Sequence, residues 1–207
     1  NTCDGLNAIA LSGSYAFVAN GDDDENEQLQ VIDLSNLDAP TLVRSLGLGD
    51  DDQRALSIAI SGTTAYVGTE NSSSQPELFV VDIAIPTNPI VRGSLEVGGS
   101  VKGIVIHGDR VVLATSKDTA ELMVVNATVP TAPFPSGSYN AAGSNDALGI
   151  FINQQDSRAH LTRRSGSASS PDVLVLDLTS PDVPTLLGTS LLARDVNAVF
   201  AADTLAF

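Results

Sequence analysis

Apolar and polar positions alternate along this chain in short runs, and the runs return in a fixed frame. The segments VIDLSNLDAP (31–40), VVDIAIPTNP (80–89), VVNATVPTAP (124–133) and VLDLTSPDVP (175–184) each open on an apolar, mostly β-branched run. That is the pattern of a buried strand. In every copy an Asx residue is followed seven positions later by proline: Asp33/Pro40, Asp82/Pro89, Asn126/Pro133 and Asp177/Pro184. The Asx side chain can take backbone N–H groups just beyond the strand and start a turn. Proline stiffens the connection and cannot donate to a ladder, so it belongs between strands or on an edge. Three copies carry a further proline inside the turn, Pro86, Pro130 and Pro181, where the first has Leu37. A second strand follows each turn: TLVRSL (41–46), IVRGSL (90–95), FPSGSY (134–139), the most degenerate, and TLLGTS (185–190).

Between these segments lies a second column: NAIALSGSYAFVAN (7–20), LSIAISGTTAYVGT (56–69), KGIVIHGDRVVLAT (102–115), LGIFINQQDSRAHLT (148–162) and NAVFAADTLAF (197–207). Each reads as a β-hairpin, two short strands about a polar turn. A small residue recurs at one site in each, at Ala8, Ser57, Gly103, Gly149 and Ala198, separated by 49, 46, 46 and 49 residues. Small side chains at one site per repeat predict crowding between neighbouring strands. Each repeat thus holds four short strands, the content of one β-propeller blade. A sandwich would not repeat its turn chemistry four times, and a β-helix coil is shorter than this unit. Alternate repeats resemble each other more than neighbours do, as NEQLQVID (26–33) does TAELMVVN (119–126), so the unit of duplication is a pair of blades.

These residues resemble LVIVD-type repeats, in which a strand reading roughly L-x-V/I-V/I-D leads to S/N-P-x-x-P, a GS-containing strand and an AYVA-type hairpin. LQVIDLSNLDAPTLVRSL, ELFVVDIAIPTNPIVRGSL and VLVLDLTSPDVPTLLGTS carry the match, with AFVAN, AYVGT and VLAT as hairpin ends. The third copy departs from it, with Asn126 for Asp and a Pro-containing strand. The resemblance implies a β-propeller of bacterial or archaeal secreted or cell-surface proteins, some of them pilin-like subunits with a membrane-inserting helix before the propeller. The expectation is therefore an all-β chain, a single propeller domain over 1–207 with four full blades and a final two-stranded half blade. Both ends supply the first two strands of a blade, which predicts a fragment of a longer propeller; a third pair of blades would give six.

Composition narrows function more by exclusion than by assignment. Twenty-five acidic residues against ten basic ones give a net charge of −15, which speaks against phosphate-backbone binding and against docking on an anionic leaflet. Aromatic residues make up 4% and Trp is absent, so stacking platforms for bases or sugars are not expected. Cys3 is the only cysteine, which excludes an internal disulfide and multi-cysteine metal sites. No apolar run reaches the length of a membrane span. Only two lysines, Lys102 and Lys117, among abundant Asp, Ser, Thr and Gly suit an extracellular setting. The chain begins Asn1-Thr2-Cys3-Asp4 and reads as processed or excerpted.

The candidate chemistry is sparse. Asp22, Asp23, Asp24 and Glu25, and further along Asp50, Asp51 and Asp52, cluster hard oxygen ligands of the kind Ca²⁺ takes, without the EF-hand ligand order. The plainer reading is a solvated acidic surface, so no cofactor is expected unless it is calcium. His107 and His160 stand on consecutive hairpins and are too few for zinc. Asp146 and Asp195 form one conceivable acid pair, although loop acids are ordinarily solvated. Arg163-Arg164 reads as a surface basic spot. Two sequons occur: Asn71-Ser72-Ser73 falls in a loop, making Asn71 the glycosylation candidate, whereas Asn126 occupies the structural Asx position and should be engaged. The chain is thus read as a non-enzymatic extracellular adhesion or interaction module. Its partners would be a protein or glycan surface ligand, or further copies of itself. The alternatives are a structural subunit of a filament or pilus-like assembly, and a propeller hydrolase or lyase.

Overall fold

The computed structural model describes residues 5–21, 28–49, 53–164, 170–192, 195–199, 201–202 and 205–206. Its regular structure is all β. Blade 1 is β1 (Leu6–Ser12), β2 (Tyr15–Asn20), β3 (Leu29–Asp33) and β4 (Thr41–Leu46); blade 2 is β5 (Ala55–Ser61), β6 (Thr64–Thr69), β7 (Leu78–Asp82) and β8 (Ile90–Leu95). Blade 3 is β9 (Val101–His107), β10 (Arg110–Thr115), β11 (Leu122–Asn126) and β12 (Phe134–Tyr139); blade 4 is β13 (Ala147–Asn153), β14 (Arg158–Arg163), β15 (Val173–Asp177) and β16 (Thr185–Ser190). A hairpin, β17 (Ala201–Ala202) and β18 (Leu205–Ala206), follows. Each blade is its own four-stranded meander with strands in sequence order, the antiparallel blade of a β-propeller. We call the four strands of a blade A to D.

Two compact units divide the chain. One spans 1–101 with 130–132, the other 102–129 with 133–207. In the first, Phe17, Ala19, Leu29 and Val31 of blade 1 close one core with Ala65, Val67, Phe79 and Val81 of blade 2. In the second, Val112, Ala114, Leu122 and Val124 of blade 3 do the same with Ala159, Leu161, Leu174 and Leu176 of blade 4. Fully burying one such side chain contributes about 1.5–3 kcal/mol, so the apolar faces dominate each unit's stability.

Local chemistry explains the turns. Gly13, Gly62 and Gly108 each take φ +58° as the first of two A–B loop residues, the position that a type II′ hairpin turn gives to glycine. Blade 4 has a longer loop there, with Ser157 at φ 55°. All four predicted Asx turns are present: an Oδ1 accepts the N–H two residues on, Ser35 to Asp33 at 2.7 Å, Ala84 to Asp82 at 2.9 Å, Thr128 to Asn126 at 3.0 Å and Thr179 to Asp177 at 2.8 Å. The small A-strand residues do mark close approach. A Cβ on Gly103 would lie 3.2 Å from Ile150 Cγ2, one on Gly149 would lie 2.9 Å from the Asn197 carbonyl, and Ser57 Oγ donates to the Val101 carbonyl at 2.7 Å.

The sequence reading did not anticipate the bulges. In every blade the C–D pairing slips by one residue, at Val31/Ile32, Val80/Val81, Val124/Val125 and Val175/Leu176. The extra residue twists the outer strand. It also lets β12 keep Pro135 at the slip, where a missing N–H costs least.

Candidate functional site

A residue overlooked in the sequence organises one end of every blade. Gln28, Glu77, Glu121 and Asp172 each stand immediately before strand C, and all four are buried. Each reaches across its blade to a backbone N–H twenty residues on, in the connection that leaves strand D. Gln28 Oε1 accepts from Leu48 at 2.9 Å, Glu77 Oε2 from Val97 at 2.8 Å, Glu121 Oε2 from Ala141 at 2.7 Å and Asp172 Oδ2 from Leu192 at 2.7 Å. Glu77 also accepts from Gly98 at 3.1 Å and from Ser72 at 3.2 Å. A buried N–H must find an acceptor, and a side chain placed here supplies it. The result is a clamp that ties the base of the B–C loop to the base of the D–A loop. The sequence signal was available: each clamp residue lies five positions before the repeat's Asx residue.

The last residue of strand B sits against the same base. Thr115 Oγ1 donates to the Ala120 carbonyl at 2.7 Å and Thr69 Oγ1 to the Pro76 carbonyl at 3.5 Å. In blade 4 the position is Arg163. The expectation of a surface basic pair fails here, because Arg163 is fully buried while only Arg164 is exposed. Its guanidinium donates to the carbonyls of Ala142 and Asn145, each at 3.1 Å, and lies 3.9 Å from Glu121 Oε1. Several carbonyls and a buried acid replace its water, which is why a charged side chain is tolerated inside. Burial holds the Arg163 pKa below its ordinary value and raises that of Glu121.

At the other end of blades 3 and 4 an ionic latch joins two repeats. Arg110, the first residue of strand B in blade 3, donates from Nε and Nη2 to the two carboxylate oxygens of Asp182 at 2.8 and 3.0 Å. Asp182 belongs to the C–D turn of blade 4 and also accepts from Ser136 Oγ. The Arg110 hydrogen bonds, then Ser136, lower the Asp182 pKa to about 2.

The remaining candidates disperse. The acidic residues Asp22, Asp23, Asp24, Glu25, Asp50, Asp51 and Asp52 lie outside the described residues. Among the described residues no three His, Cys, Asp or Glu gather to hold a metal. His107 Nδ1 lies 3.1 Å from Gln154 Oε1. His160 packs near Phe151 at 6.5 Å between ring centroids, and burial lowers its pKa. Asp146 is paired with Arg164 at 3.8 Å, and Asp195 is exposed beyond β16. Asn71 is exposed on the B–C loop of blade 2. Asn126 is engaged as expected, its Oδ1 taking both the N–H and the hydroxyl of Thr128. Among the described residues there is no helix long and apolar enough to cross a membrane.

Residues 7–46 and 53–97, blade 1 and blade 2, match the family model of the LVIVD repeat. No curated protein matches the sequence. Among solved structures, the chain is similar to a functionally unknown protein from Desulfotomaculum acetoxidans DSM 771, at TM-score 0.72 and 14% identity over 98% of this chain and 61% of that one. It is also similar to the computationally designed Ika8 protein, at TM-score 0.57 and 13% identity over 97% of this chain and 66% of that one. A third likeness is to the N-terminal domain of Nup159, at TM-score 0.54 and 8% identity over 89% of this chain and 48% of that one. The chain spans less than two thirds of the length of each. At these identities the likeness is one of fold.

Proposed function

Starting from a chain that carries LVIVD repeats in β-propeller blades, we propose that it is a non-enzymatic interaction module of the cell exterior that binds a protein or glycan surface ligand through the clamped loop edge. One observation carries this reading. The same hydrogen bond, over the same twenty residues, anchors the B–C and D–A loops of each blade, while the loops themselves differ: Glu70-Asn71-Ser72-Ser73-Ser74-Gln75-Pro76 in blade 2, Ser116-Lys117-Asp118-Thr119-Ala120 in blade 3. Variable loops on a rigid repeated base are how repeat scaffolds present binding surfaces. The acidic composition and the scarcity of lysine support an exterior setting.

Binding of the purified chain to glycan panels and to immobilised cell surfaces tests the reading. A variant with Asn71–Gln75 replaced by a Gly/Ser linker should lose binding, while a variant altered at the opposite edge, in Ala84–Asn88, should keep it. Binding that follows the Ala84–Asn88 turn instead would overturn the assignment.

A further inference from the structure

The two sequons, Asn71-Ser72-Ser73 and Asn126-Ala127-Thr128, sit in opposite structural conditions. An Asn-X-Ser/Thr tripeptide accepts an N-linked glycan where a transferase can reach it. The transferase must take the Asn amide and the hydroxyl two residues on, so both side chains have to be free and the backbone between them has to leave its own structure.

Asn126 meets neither condition. It is the last residue of β11 and is paired on both sides, with Arg110 of β10 and Phe134 of β12. It is half-buried. Its Oδ1 accepts the Thr128 N–H at 3.0 Å and the Thr128 hydroxyl at 2.7 Å. The two groups that a transferase must read are thus spent on each other. Presenting them would peel the end of β11 from both neighbours and undo the Asx turn that opens the C–D connection of blade 3.

Asn71 meets both. Its sequon lies in the connection between β6 and β7, outside any strand. Asn71 and Ser73 are exposed, and among the described residues neither side chain is hydrogen-bonded. The segment is held instead through its backbone. The Asn71 N–H donates to Ser100 Oγ at 3.0 Å, the Ser72 N–H to Glu77 Oε1 at 3.2 Å and the Ser74 N–H to Ser72 Oγ at 3.2 Å. The Ser72 and Ser74 hydroxyls engage each other at 3.2 Å, which leaves Asn71 and Ser73 to the solvent. Opening an irregular connection of this kind is easier than unzipping the end of a central strand.

We propose that Asn71 carries an N-linked glycan added to the folded chain, and that Asn126 stays unmodified. The Asn71 Nδ2 attacks the anomeric carbon of a sugar held on a lipid pyrophosphate. A C–N bond forms, the bond from that carbon to the pyrophosphate oxygen breaks, the lipid pyrophosphate departs and the amide gives up one proton to solvent. Modification needs the exterior setting proposed above, and it adds carbohydrate to the edge that carries the ligand-binding loops. The Glu77 clamp beneath keeps its Val97 and Gly98 bonds, so the loop base holds under the glycan.

Incubating the purified, folded 207-residue chain with a lipid-linked oligosaccharide and a transferase that reads Asn-X-Ser/Thr tests this by intact mass, with no ligand in the reaction. The wild-type chain should gain a single glycan. Asn71→Gln and Ser73→Ala should each abolish the gain, and Asn126→Gln should leave it unchanged. A free peptide of residues 122–130 in the same reaction should be modified at Asn126, which shows that the transferase is active and that the fold protects that sequon. A folded chain that gains no glycan beside a modified peptide would overturn the proposal, as would a glycan on Asn126. An unmodified peptide beside a glycosylated chain would overturn the part assigned to the fold. Ligand binding is read separately, so failure here leaves the loop-edge reading standing.

Discussion

The two units solve the same closure problem with different chemistry. In the first, the clamp of blade 1 is a neutral amide, Gln28, and the strand-B ends beside the clamps are Asn20 and Thr69. In the second, both clamps are carboxylates, Glu121 and Asp172, and a buried guanidinium, Arg163, stands at a strand-B end. The blade junctions differ likewise. Gly93 of blade 2 packs under the Pro130–Thr131 backbone of the blade 3 turn without an ion pair at the latch position, whereas Gly137 of blade 3 packs under Asp182, which Arg110 also grips. What repeats in all four blades is therefore backbone geometry, a donor left by the D–A connection and an acceptor before strand C, while a glycine beneath a turn recurs in blades 2 and 3. The group that answers each demand varies: the first unit buries one clamp carboxylate, Glu77, and the second buries two, Glu121 and Asp172, together with a guanidinium, and such charge is costly to leave unmatched.

The largest expected effect comes from breaking that charge. Arg163→Met should destabilise the chain by about 3–5 kcal/mol in chemical denaturation, since it leaves buried Glu121 without the guanidinium beside it and the Ala142 and Asn145 carbonyls without their donor. Adding Glu121→Gln, which gives blade 3 the neutral clamp of blade 1, should recover part of the loss. A double variant no more stable than Arg163→Met would mean that charge matching is not what separates the units. Next in size are the clamps themselves. Glu77→Ala abandons three N–H donors and should cost about 3 kcal/mol, against about 1–2 kcal/mol for the Leu48 bond that Gln28→Ala removes among the described residues. Equal losses would show that the extra bonds of Glu77 contribute nothing.

Much of this architecture could be read from the sequence. The four Asx–Pro segments gave strand, turn and strand, and the hairpin column gave the rest of each blade, because period-two patterning and turn chemistry are local. The clamp was not legible in the same way. Its acceptor recurs five positions before each Asx residue, but as Gln, Glu or Asp, residues that any turn carries, and its donor is a backbone amide with no sequence signature. Arg163 misled for the opposite reason: charge suggests exposure, and the carbonyls of Ala142 and Asn145 that replace its water come from elsewhere in the chain. The bulges left no local trace, since the extra residue is Val43, Arg92, Ser136 or Leu187 with no shared character.

Smaller effects separate covered from uncovered glycines. Gly137→Ala forces a methyl into the Asp182 backbone and should cost about 1–3 kcal/mol; Gly188→Ala meets open space and should change stability by no more than about 0.5 kcal/mol in the monomer. Comparable losses at the two sites would show that the close approach of the Asp182 backbone to Gly137 carries no cost. The smallest effect belongs to the exposed latch. The folded-state pKa of Asp182 is lowered to about 2 from an ordinary 3.8. Its contribution is therefore complete above the ordinary value and is lost as pH falls through about 2. Acid denaturation should show wild type and Asp182→Asn converging across that window, and added salt should narrow the gap at neutral pH. A gap that widens on acidification would contradict the assignment.

The clamp is the feature on which both the shared architecture and the loop edge depend, and amide hydrogen exchange tests it most directly. The amides of Leu48, Val97, Ala141 and Leu192 lie in irregular connections, yet the account predicts that they exchange as slowly as amides in the central strands β2, β6, β10 and β14. Exchange at the rate of freely solvated loop amides would contradict it.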